Sequence, residues 1–353
     1  ALAIGGNDGT TAAVASNENW NGTSWTEDGD LNTGIRLGGA AGTSSTGLAF
    51  AGQNASNTKL AGAEEFTGAG ADIGAWATGG DLNTARGIGA PATAGPQTAA
   101  LLAGGESPIT ANTEIYNGSA WTEVNNLNTG RHSMPGAGTI TSALVFSGTT
   151  STPANPGTGQ LNESFNGTSW TEVGDTVVKK RRAGGCGASN TSAIAFGGTP
   201  SPGNYVDSTE LWNGTAWTEV NNLNQARDQV GSVGVATSAL CVGGINPGAL
   251  AINESWNGTS WTEVNNLNTA RYSLAAAGST TNALAFAGAT PAKAVTEDWN
   301  GASWTEVGDV NTARSGLAGS GSITAALAFG GVPNIAATEE WSGSSVLNNV
   351  LTD

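Results

Sequence analysis

One tryptophan-marked unit recurs along the whole chain and limits the fold more than any other feature of the sequence. Successive marker tryptophans stand 43 to 51 residues apart, and an aromatic residue lies five positions before most of them. A self-similar period of this length is typical of propellers and solenoids, in which each unit is one supersecondary element. The marker tryptophans are Trp25, Trp76, Trp121, Trp170, Trp217, Trp261 and Trp304.

Each unit divides into four short strands, named a to d in chain order. Strand a follows an arginine, strand b is an apolar run such as "LAFGG", strand c carries Glu-x-aromatic, and strand d starts at the tryptophan. No helical period occurs, so four strands repeated radially predict the blade of an all-β propeller. The arginine stands ten residues after most of the tryptophans, at Arg86, Arg131, Arg227, Arg271 and Arg314.

The Asn-Gly pair between strands c and d predicts a tight hairpin, because type I′ turns require positive φ. Asn257 also heads an Asn-Gly-Thr triplet, which is formally a glycosylation acceptor. Asn300 fills the same corner in Asn-Gly-Ala, without a hydroxyl residue. The pattern therefore favours a hairpin corner, and glycosylation is the alternative if the host is a eukaryote.

The order of these residues resembles kelch repeats. A glycine doublet ends strand b, an aromatic residue lies on strand c, a tryptophan lies on strand d, and an arginine opens the next strand a. The near-identical "WNGTSWTEV" and "LNTAR" segments are similar to kelch-like proteins of marine viruses (phages) and bacteria. The resemblance covers essentially the whole chain and implies a kelch-like β-propeller.

Counting strands predicts the number of blades. Strands b and c each occur eight times, whereas strand d occurs seven times with its tryptophan and once as a worn copy with Val346 in that slot. Strand a occurs seven times, because the chain begins at strand b. We therefore predict a single propeller domain over residues 1–353 with eight blades, the first lacking its inner strand. Seven blades are the alternative, which would leave a C-terminal b–c–d segment without a place.

The chain is acidic, with 28 Asp and Glu against 12 Lys and Arg and a formal net charge of −16. Such a field repels phosphate backbones, which argues against nucleic acid and anionic membranes as partners. No apolar run approaches the length of a membrane-spanning helix, so we expect no membrane insertion. Cys186 and Cys241 occupy slots that other units fill with small residues, and we interpret both as buried small side chains.

The inventory of reactive side chains argues against an enzyme, and we predict no cofactor and no metal. His132 is the single histidine, which cannot form a histidine metal cluster. Glutamates recur on strands c and d beside one arginine per unit, so we expect a structural network of charge and hydrogen bonds rather than acid–base catalysis. The basic run Lys179–Arg182 replaces "LNTA" and is either a seat for an acidic chain or a solvated turn.

The b–c loops differ between units in length and content, and they give the candidate binding face. Variable loops on a rigid repeat scaffold are the usual place for a binding surface, and neutral drift is the alternative. All 12 tryptophans and all 7 phenylalanines lie in repeat slots, which indicates packing between blades rather than platforms for sugars. The candidate binding residues are Asn54, Lys59, Asn155, Gln160, Asn204, Tyr205, Asn246 and Lys293.

Together these features predict a non-enzymatic binding or structural module. The resemblance to viral units favours a virion fibre, decoration or attachment protein, located on the virion or outside the cell. Such a protein contacts other proteins of its assembly, a host surface, or further copies of itself as a homo-oligomer. One alternative is a secreted bacterial adhesin or carbohydrate-binding propeller that binds surface glycans. The other is an intracellular kelch-type scaffold for protein interactions.

Overall fold

The computed structural model describes residues 75–106, 108–151, 160–200, 204–289, 291–333 and 335–343, together with Ser56 and the backbone of six strands before residue 75. The chain divides into two compact units. The first comprises residues 1–73 with 344–353, and the second residues 74–343. The assignment of residues 1–353 to a single domain stays a prediction.

The first unit contains two three-stranded antiparallel sheets. One sheet has the b, c and d strands of a sequence repeat, as expected for a first repeat that lacks its inner strand a. The other sheet has the a, b and c strands. The six strands are β1 (Leu2–Asn7), β2 (Ala13–Trp20), β3 (Trp25–Asp28), β4 (Gly39–Gly42), β5 (Thr46–Phe50) and β6 (Ala63–Thr67).

The second unit begins with β7 (Ala75–Thr78) and contains six four-stranded antiparallel blades within the ranges described. Blade 1 comprises β8 (Ala90–Pro91), β9 (Leu101–Ala103), β10 (Thr113–Tyr116) and β11 (Trp121–Val124). Blade 2 comprises β12 (Gly136–Thr139), β13 (Ser142–Phe146), β14 (Asn162–Phe165) and β15 (Trp170–Val173). Blade 3 comprises β16 (Gly184–Ser189), β17 (Ser192–Phe196), β18 (Thr209–Trp212) and β19 (Trp217–Val220). Blade 4 comprises β20 (Gly231–Val235), β21 (Ser238–Val242), β22 (Asn253–Trp256) and β23 (Trp261–Val264). Blade 5 comprises β24 (Ala275–Gly278), β25 (Ala283–Phe286), β26 (Thr296–Trp299) and β27 (Trp304–Val307). Blade 6 comprises β28 (Ala318–Gly321), β29 (Ala325–Phe329) and β30 (Thr338–Ser342), with β7 as its fourth strand.

The prediction of eight blades is wrong, as is the alternative of seven, because the described residues form six four-stranded blades. The difference comes from β7, the strand d of the second repeat unit, which pairs with β30 instead of the preceding strand c. Trp76 lies opposite Trp341 in this pairing, the register that the c and d aromatics have in the other blades. In the sequence, the Asn-Gly corner that joins c to d elsewhere is absent between Phe66 and Trp76. The usual constraint on pairing within the unit is therefore missing there.

Side-chain and backbone bonds join blade 6 to blade 1 and complete the ring. The Gln97 side-chain amide donates to the carbonyls of Ala326 and Trp341 at 2.9 and 3.0 Å. The Ser320 hydroxyl donates to the Gly95 carbonyl at 2.9 Å. A closed ring leaves no inner sheet edge open to pairing with another chain.

The repeated aromatic residues pack between blades. The phenylalanine of strand b meets the strand-d tryptophan of the next blade, as in Phe196–Trp261 at 4.8 Å and Phe286–Trp76 at 4.9 Å between ring centroids. Trp261 also donates its indole N–H to the Thr209 hydroxyl of the preceding blade at 3.0 Å. These rings are buried and serve as the apolar contact between neighbouring sheets.

The corner at Asn257 is a four-residue loop rather than a two-residue type I′ turn. Trp256 and Trp261 form the last cross-strand pair, and Gly258 alone among the loop residues has positive φ, at 93°. The Asn257 side-chain oxygen accepts hydrogen bonds from the backbone N–H groups of Thr259 and Ser260, both at 2.9 Å. Asparagine therefore holds the corner with its own side chain, and glycine provides the left-handed residue.

Candidate functional site

Each blade contains one buried ion pair at its centre. The cation stands just before strand a, and the glutamate lies on strand c of the same blade. In blade 5 the Arg271 guanidinium lies 2.8 Å from a Glu297 oxygen, and both side chains have 0% exposure. The six pairs are Arg86–Glu114, Arg131–Glu163, Lys180–Glu210, Arg227–Glu254, Arg271–Glu297 and Arg314–Glu339.

Lys180 lies in the basic run Lys179–Arg182, and for this residue both predictions, a solvated turn and a seat for an acidic chain, are wrong. Its side chain has 0% exposure and forms the ion pair of blade 3 with Glu210 at 2.9 Å. Burial lowers the pKa of Lys180, which the charge of Glu210 opposes. The sequence signal was available, because Lys180 stands ten residues after Trp170, the same offset as the arginines.

Two positions after each of these cations, one residue per blade takes the left-handed backbone conformation. These residues form a closed ring, in which each N–H donates to the carbonyl of the equivalent residue in the preceding blade at 2.8 Å. Five of the six are not glycine, although left-handed backbone costs about 1–2 kcal/mol for such residues. This inner ring consists of Ile88 (φ 55°), Ser133 (59°), Arg182 (55°), Gln229 (55°), Ser273 (52°) and Gly316 (59°).

One position after each cation, a second set of residues lies beside the inner ring and forms single antiparallel bridges to the segment that follows strand b. Both sets precede strand a, on the face of the b–c loops. The residue types differ strongly between blades, in a chain whose other repeat slots are nearly constant. This outer ring consists of Gly87, His132, Arg181, Asp228, Tyr272 and Ser315.

The side chains of blades 3, 4 and 5 enclose a cavity of about 540 Å³ at this end of the ring, here called the mouth pocket. Its size lies within the range of small-molecule sites. Arg182 and Gln229 line both the mouth pocket and the axial cavity below it, which all six inner strands surround. The mouth pocket is lined by Arg181, Arg182, Thr199, Tyr205, Asp228, Gln229, Ile245 and Tyr272.

Arg181 and Arg182 give the mouth pocket its positive charge. Arg181 is 5% exposed, and its Nε atom has no hydrogen-bond partner. Neither guanidinium forms an ion pair with a residue in the described ranges, whereas the six central cations are all paired. Burial lowers the pKa of Arg181, the charge of Arg182 lowers it further, and Asp228 opposes both. Burial raises the pKa of Asp228, which Gln229 and the two arginines oppose.

His132 and Glu106 form a separate polar contact in the neighbouring blades. The His132 Nδ1 atom lies 3.2 Å from a Glu106 oxygen and 3.0 Å from the Ser133 hydroxyl. Burial lowers the pKa of His132, and the charge of Glu106 opposes the shift. In the part of the chain that the structure describes, no three His, Cys, Asp or Glu side chains are grouped to hold a metal ion.

The candidate binding residues predicted from the b–c loops do not all meet. Tyr205 lines the mouth pocket, and the neighbouring Asn204 is exposed. The Gln160 side chain donates to the carbonyls of Thr176 and Val177, at 2.8 and 3.1 Å. The remaining predicted residues lie apart from the pocket lining or outside the described residues. The Asn246 amide donates to the Ala226 carbonyl at 2.6 Å, the Lys293 backbone bridges to Arg314, and Asn54, Lys59 and Asn155 lie outside the described residues.

The predicted structural residues are buried wherever their side chains are described. The six tryptophans from Trp76 onward have exposures of 4–6%, and the five arginines have exposures of 0–1%. Trp25 begins β3, where the backbone alone is described. Cys186 and Cys241 are free and have 0% exposure, which confirms their interpretation as buried small side chains.

Fold and pocket together define a class, the β-propeller with four-stranded blades and a polar pocket at one end of its axis. Among solved structures, the chain is similar to one described as "Structure of YjhT", with a TM-score of 0.61 and 12% identity. The similarity covers 74% of this chain and 96% of that chain, and at this identity it shows the fold alone. No protein-family model and no curated protein matches the chain. None of the described residues forms a helix long and apolar enough to cross a membrane.

Proposed function

We propose that this protein is a non-enzymatic binding module whose ligand occupies the mouth pocket. The observation that carries the proposal is the asymmetry of the ring. Six nearly equivalent blades hold six equivalent positions around the axis, yet polar and aromatic side chains concentrate in blades 3 to 5. A concave site with a few convergent polar groups is the usual form of a ligand site. The packing of a symmetric ring does not require the side chains at these positions to differ between blades.

The non-enzymatic part of the proposal rests on where the carboxylates lie. The strand-c glutamates, which recur like catalytic pairs in the sequence, are buried in ion pairs with the central cations. Their second oxygens accept hydrogen bonds from backbone N–H groups, as Glu254 does from Asn224 at 2.7 Å. A carboxylate held in this way has both oxygens occupied, and none of these glutamates lines the mouth pocket, so they are poorly placed for acid–base chemistry on a ligand there.

The finer setting that we propose is a virion fibre, decoration or attachment protein, on the virion or outside the cell. It rests on the similarity of the repeat units to kelch-like proteins of marine viruses and on the acidic surface. The proposed partners are other proteins of the assembly, a host surface, or further copies of the chain. A secreted adhesin or carbohydrate-binding propeller is the second candidate, favoured by two tyrosines in the pocket, Tyr205 and Tyr272.

The test is a screen of the whole chain against glycan and peptide arrays, repeated with Tyr272→Ser and Thr305→Ala. Ser315 fills the slot of Tyr272 in blade 6, so the first change imitates a residue that the ring already accommodates. Thr305 is exposed on strand d and serves as the control. We expect ligand affinity to fall about tenfold in Tyr272→Ser, as for a pocket aromatic residue, and to stay constant in Thr305→Ala. Ligands that bind both variants equally well would remove the mouth pocket from the proposal.

The mass of the native particle in solution distinguishes a structural virion protein from a secreted adhesin. We expect light scattering after size exclusion at near-marine salt to show a discrete oligomer or larger assembly if the chain is a structural part of a virion. A monomer near the chain mass of 34.9 kDa would favour the adhesin instead.

A further inference from the structure

We infer that the mouth pocket binds a carboxylated sugar, whose carboxylate lies between Arg181 and Arg182. This inference rests on the proposed binding function and names the chemical class of its ligand. The acid is either a free sugar or the terminal residue of a surface glycan, because both present the same group to the pocket.

The two arginines are surplus to the structural requirement of their blade. Every blade has one central cation, and in blade 3 that position is filled by Lys180. Arg181 and Arg182 follow it directly, and neither side chain donates a hydrogen bond to a residue in the described part of the chain. Arg181 is buried and Arg182 is half-buried, and placing their like charges side by side costs free energy, which a bound anion would offset.

Arg181 is the stronger indication of a ligand. Its side chain lines the mouth pocket while it is 95% buried, and its Nε atom has no partner. The Nε atoms of Arg131, Arg227, Arg271 and Arg314 also lack partners, but each of those guanidinium groups is paired with a buried glutamate, whereas Arg181 has no ion pair in the described residues. An unsatisfied buried donor costs about 1–3 kcal/mol. An oxyanion in the pocket would supply acceptors in the planar arrangement that guanidinium groups bind best.

The other residues that line the mouth pocket narrow the class of anion that it can bind. Asp228 adds a negative group beside the two arginines, so a ligand with one negative charge matches the pocket better than a dianion. Gln229 and Asp228, joined by a hydrogen bond of 3.3 Å, place polar groups suited to hydroxyls in the lining, and Tyr205 and Tyr272 offer aromatic faces for C–H surfaces. A sugar acid has all three features.

The whole-protein charge of −16 does not exclude an anionic ligand. At the ionic strength of sea water the repulsion from distant exposed carboxylates is largely screened, because the Debye length falls well below about 8 Å. Interactions with a buried guanidinium are screened much less. Binding should therefore persist at high salt.

The test measures binding of D-glucuronate by calorimetry to the whole chain, with the neutral methyl ester of glucuronate as the matched probe. The variants are Arg182→Gln, Arg181→Ser and Lys179→Gln. Glutamine and serine occupy the equivalent slots at Gln229 and Ser315, so the first two changes imitate other blades of the same ring. Lys179 is exposed and provides the control for loss of one positive charge.

We expect glucuronate to bind, the ester to bind at least about tenfold more weakly, and each arginine variant to lose at least about tenfold in affinity. Lys179→Gln should match the unaltered chain. An oligosaccharide that ends in glucuronate and binds more tightly than the monosaccharide would identify a glycan as the source of the acid, and equal affinities would identify the free sugar.

Three results would overturn the inference: no glucuronate binding up to ~10 mM, equal affinity for the ester, or unchanged affinity in both arginine variants. The proposed function fails separately. If Tyr272→Ser weakens an array ligand that the arginine variants leave unchanged, the pocket is a binding site for an uncharged ligand, and only the sugar-acid inference is lost.

Discussion

Val177 marks a place where one blade lacks bonds that the other blades have, and replacing it with asparagine should stabilise the protein. In the other five blades an asparagine stands seven residues after the strand-d tryptophan. Its side-chain amide donates to the carbonyl of the next strand-d tryptophan at 3.0–3.2 Å. In four of these blades the amide also donates to the buried glutamate at 2.7–2.9 Å. Blade 3 has Val177 instead, and its side chain is 52% exposed.

The backbone at Val177 already has the required position. Its N–H donates to Glu210 Oε2 at 2.6 Å, as the N–H of Asn224 does to Glu254 at 2.7 Å. Val177→Asn should therefore add a bond to the Glu210 carboxylate and one to the Trp217 carbonyl. A bond to a charged group contributes about 1.5–3 kcal/mol and a neutral one about 0.5–1.5 kcal/mol. Partial exposure and the ordering of the side chain reduce the sum, so we expect about 1–2 kcal/mol.

The assay is urea unfolding followed by tryptophan fluorescence, with the midpoint and slope recorded for Val177→Asn, Val177→Ala and Val177→Asp. Alanine removes the exposed methyl groups without adding bonds and should change the unfolding free energy by less than about 0.5 kcal/mol. Aspartate has the shape of asparagine but places a second carboxylate beside Glu210, so it should destabilise. If the asparagine variant is no more stable than the alanine variant, these bonds do not hold the blade together.

Three further predictions test the ion pair, the backbone strain and the pH dependence. Lys180→Ala should cost about 3–5 kcal/mol in urea unfolding, because it leaves Glu210 buried and unpaired. Ala287→Gly should stabilise by about 0.5–1 kcal/mol in the same assay, because Ala287 has φ 59°. Burial and a hydrogen bond to Glu340 raise the pKa of Tyr116 from 10.0 to about 12, so stability should fall as pH rises from 10 to 12, and Tyr116→Phe should remove that loss.

The first two of these predictions have matched controls, and for the third Tyr116→Phe is compared with the unaltered chain. Lys179→Ala removes an exposed lysine next to Lys180 and should leave stability within about 0.5 kcal/mol. Gly243→Ala should destabilise, because an added Cβ would lie 2.6 Å from the Arg271 carbonyl oxygen. Equal costs for the two lysine variants, a stabilising alanine at 243, or an alkaline loss that persists in Tyr116→Phe would each contradict the corresponding reasoning.

The sequence predicts the blade well but not the number of blades. Alternation, the Asn-Gly corner and the aromatic slots act within about forty residues, so they specify four strands and their order. Near-identical units make every strand d a suitable partner for every strand c. The partner of β7 then depends on a connection, residues 67–75, whose sequence carries no turn signal strong enough to decide. The eight-blade count assumed pairing within each unit, and that assumption fails at Trp76.

The mouth pocket was only partly accessible to sequence reasoning. Tyr205 was predicted from loop variability, but Arg181, Asp228 and Tyr272 lie before strand a, in segments that are otherwise nearly constant. They meet because consecutive blades place equivalent residues side by side around the axis, which no spacing within one unit reveals. The usable signal is the identity of the residue directly after each central cation, which changes from blade to blade although a cation, arginine or lysine, always precedes it.

The inner ring explains how a repeat protein can vary these positions without losing closure. Its six blade-to-blade bonds run from backbone N–H to backbone carbonyl, so they form equally well with isoleucine, serine, arginine, glutamine or glycine in the slot. Gly316 shows that the backbone conformation is available without strain. Five blades nevertheless have a side chain there, each at a cost of about 1–2 kcal/mol. Because closure depends on the backbone and not on these side chains, the ring can change them from blade to blade, and the lining of the mouth pocket changes with them.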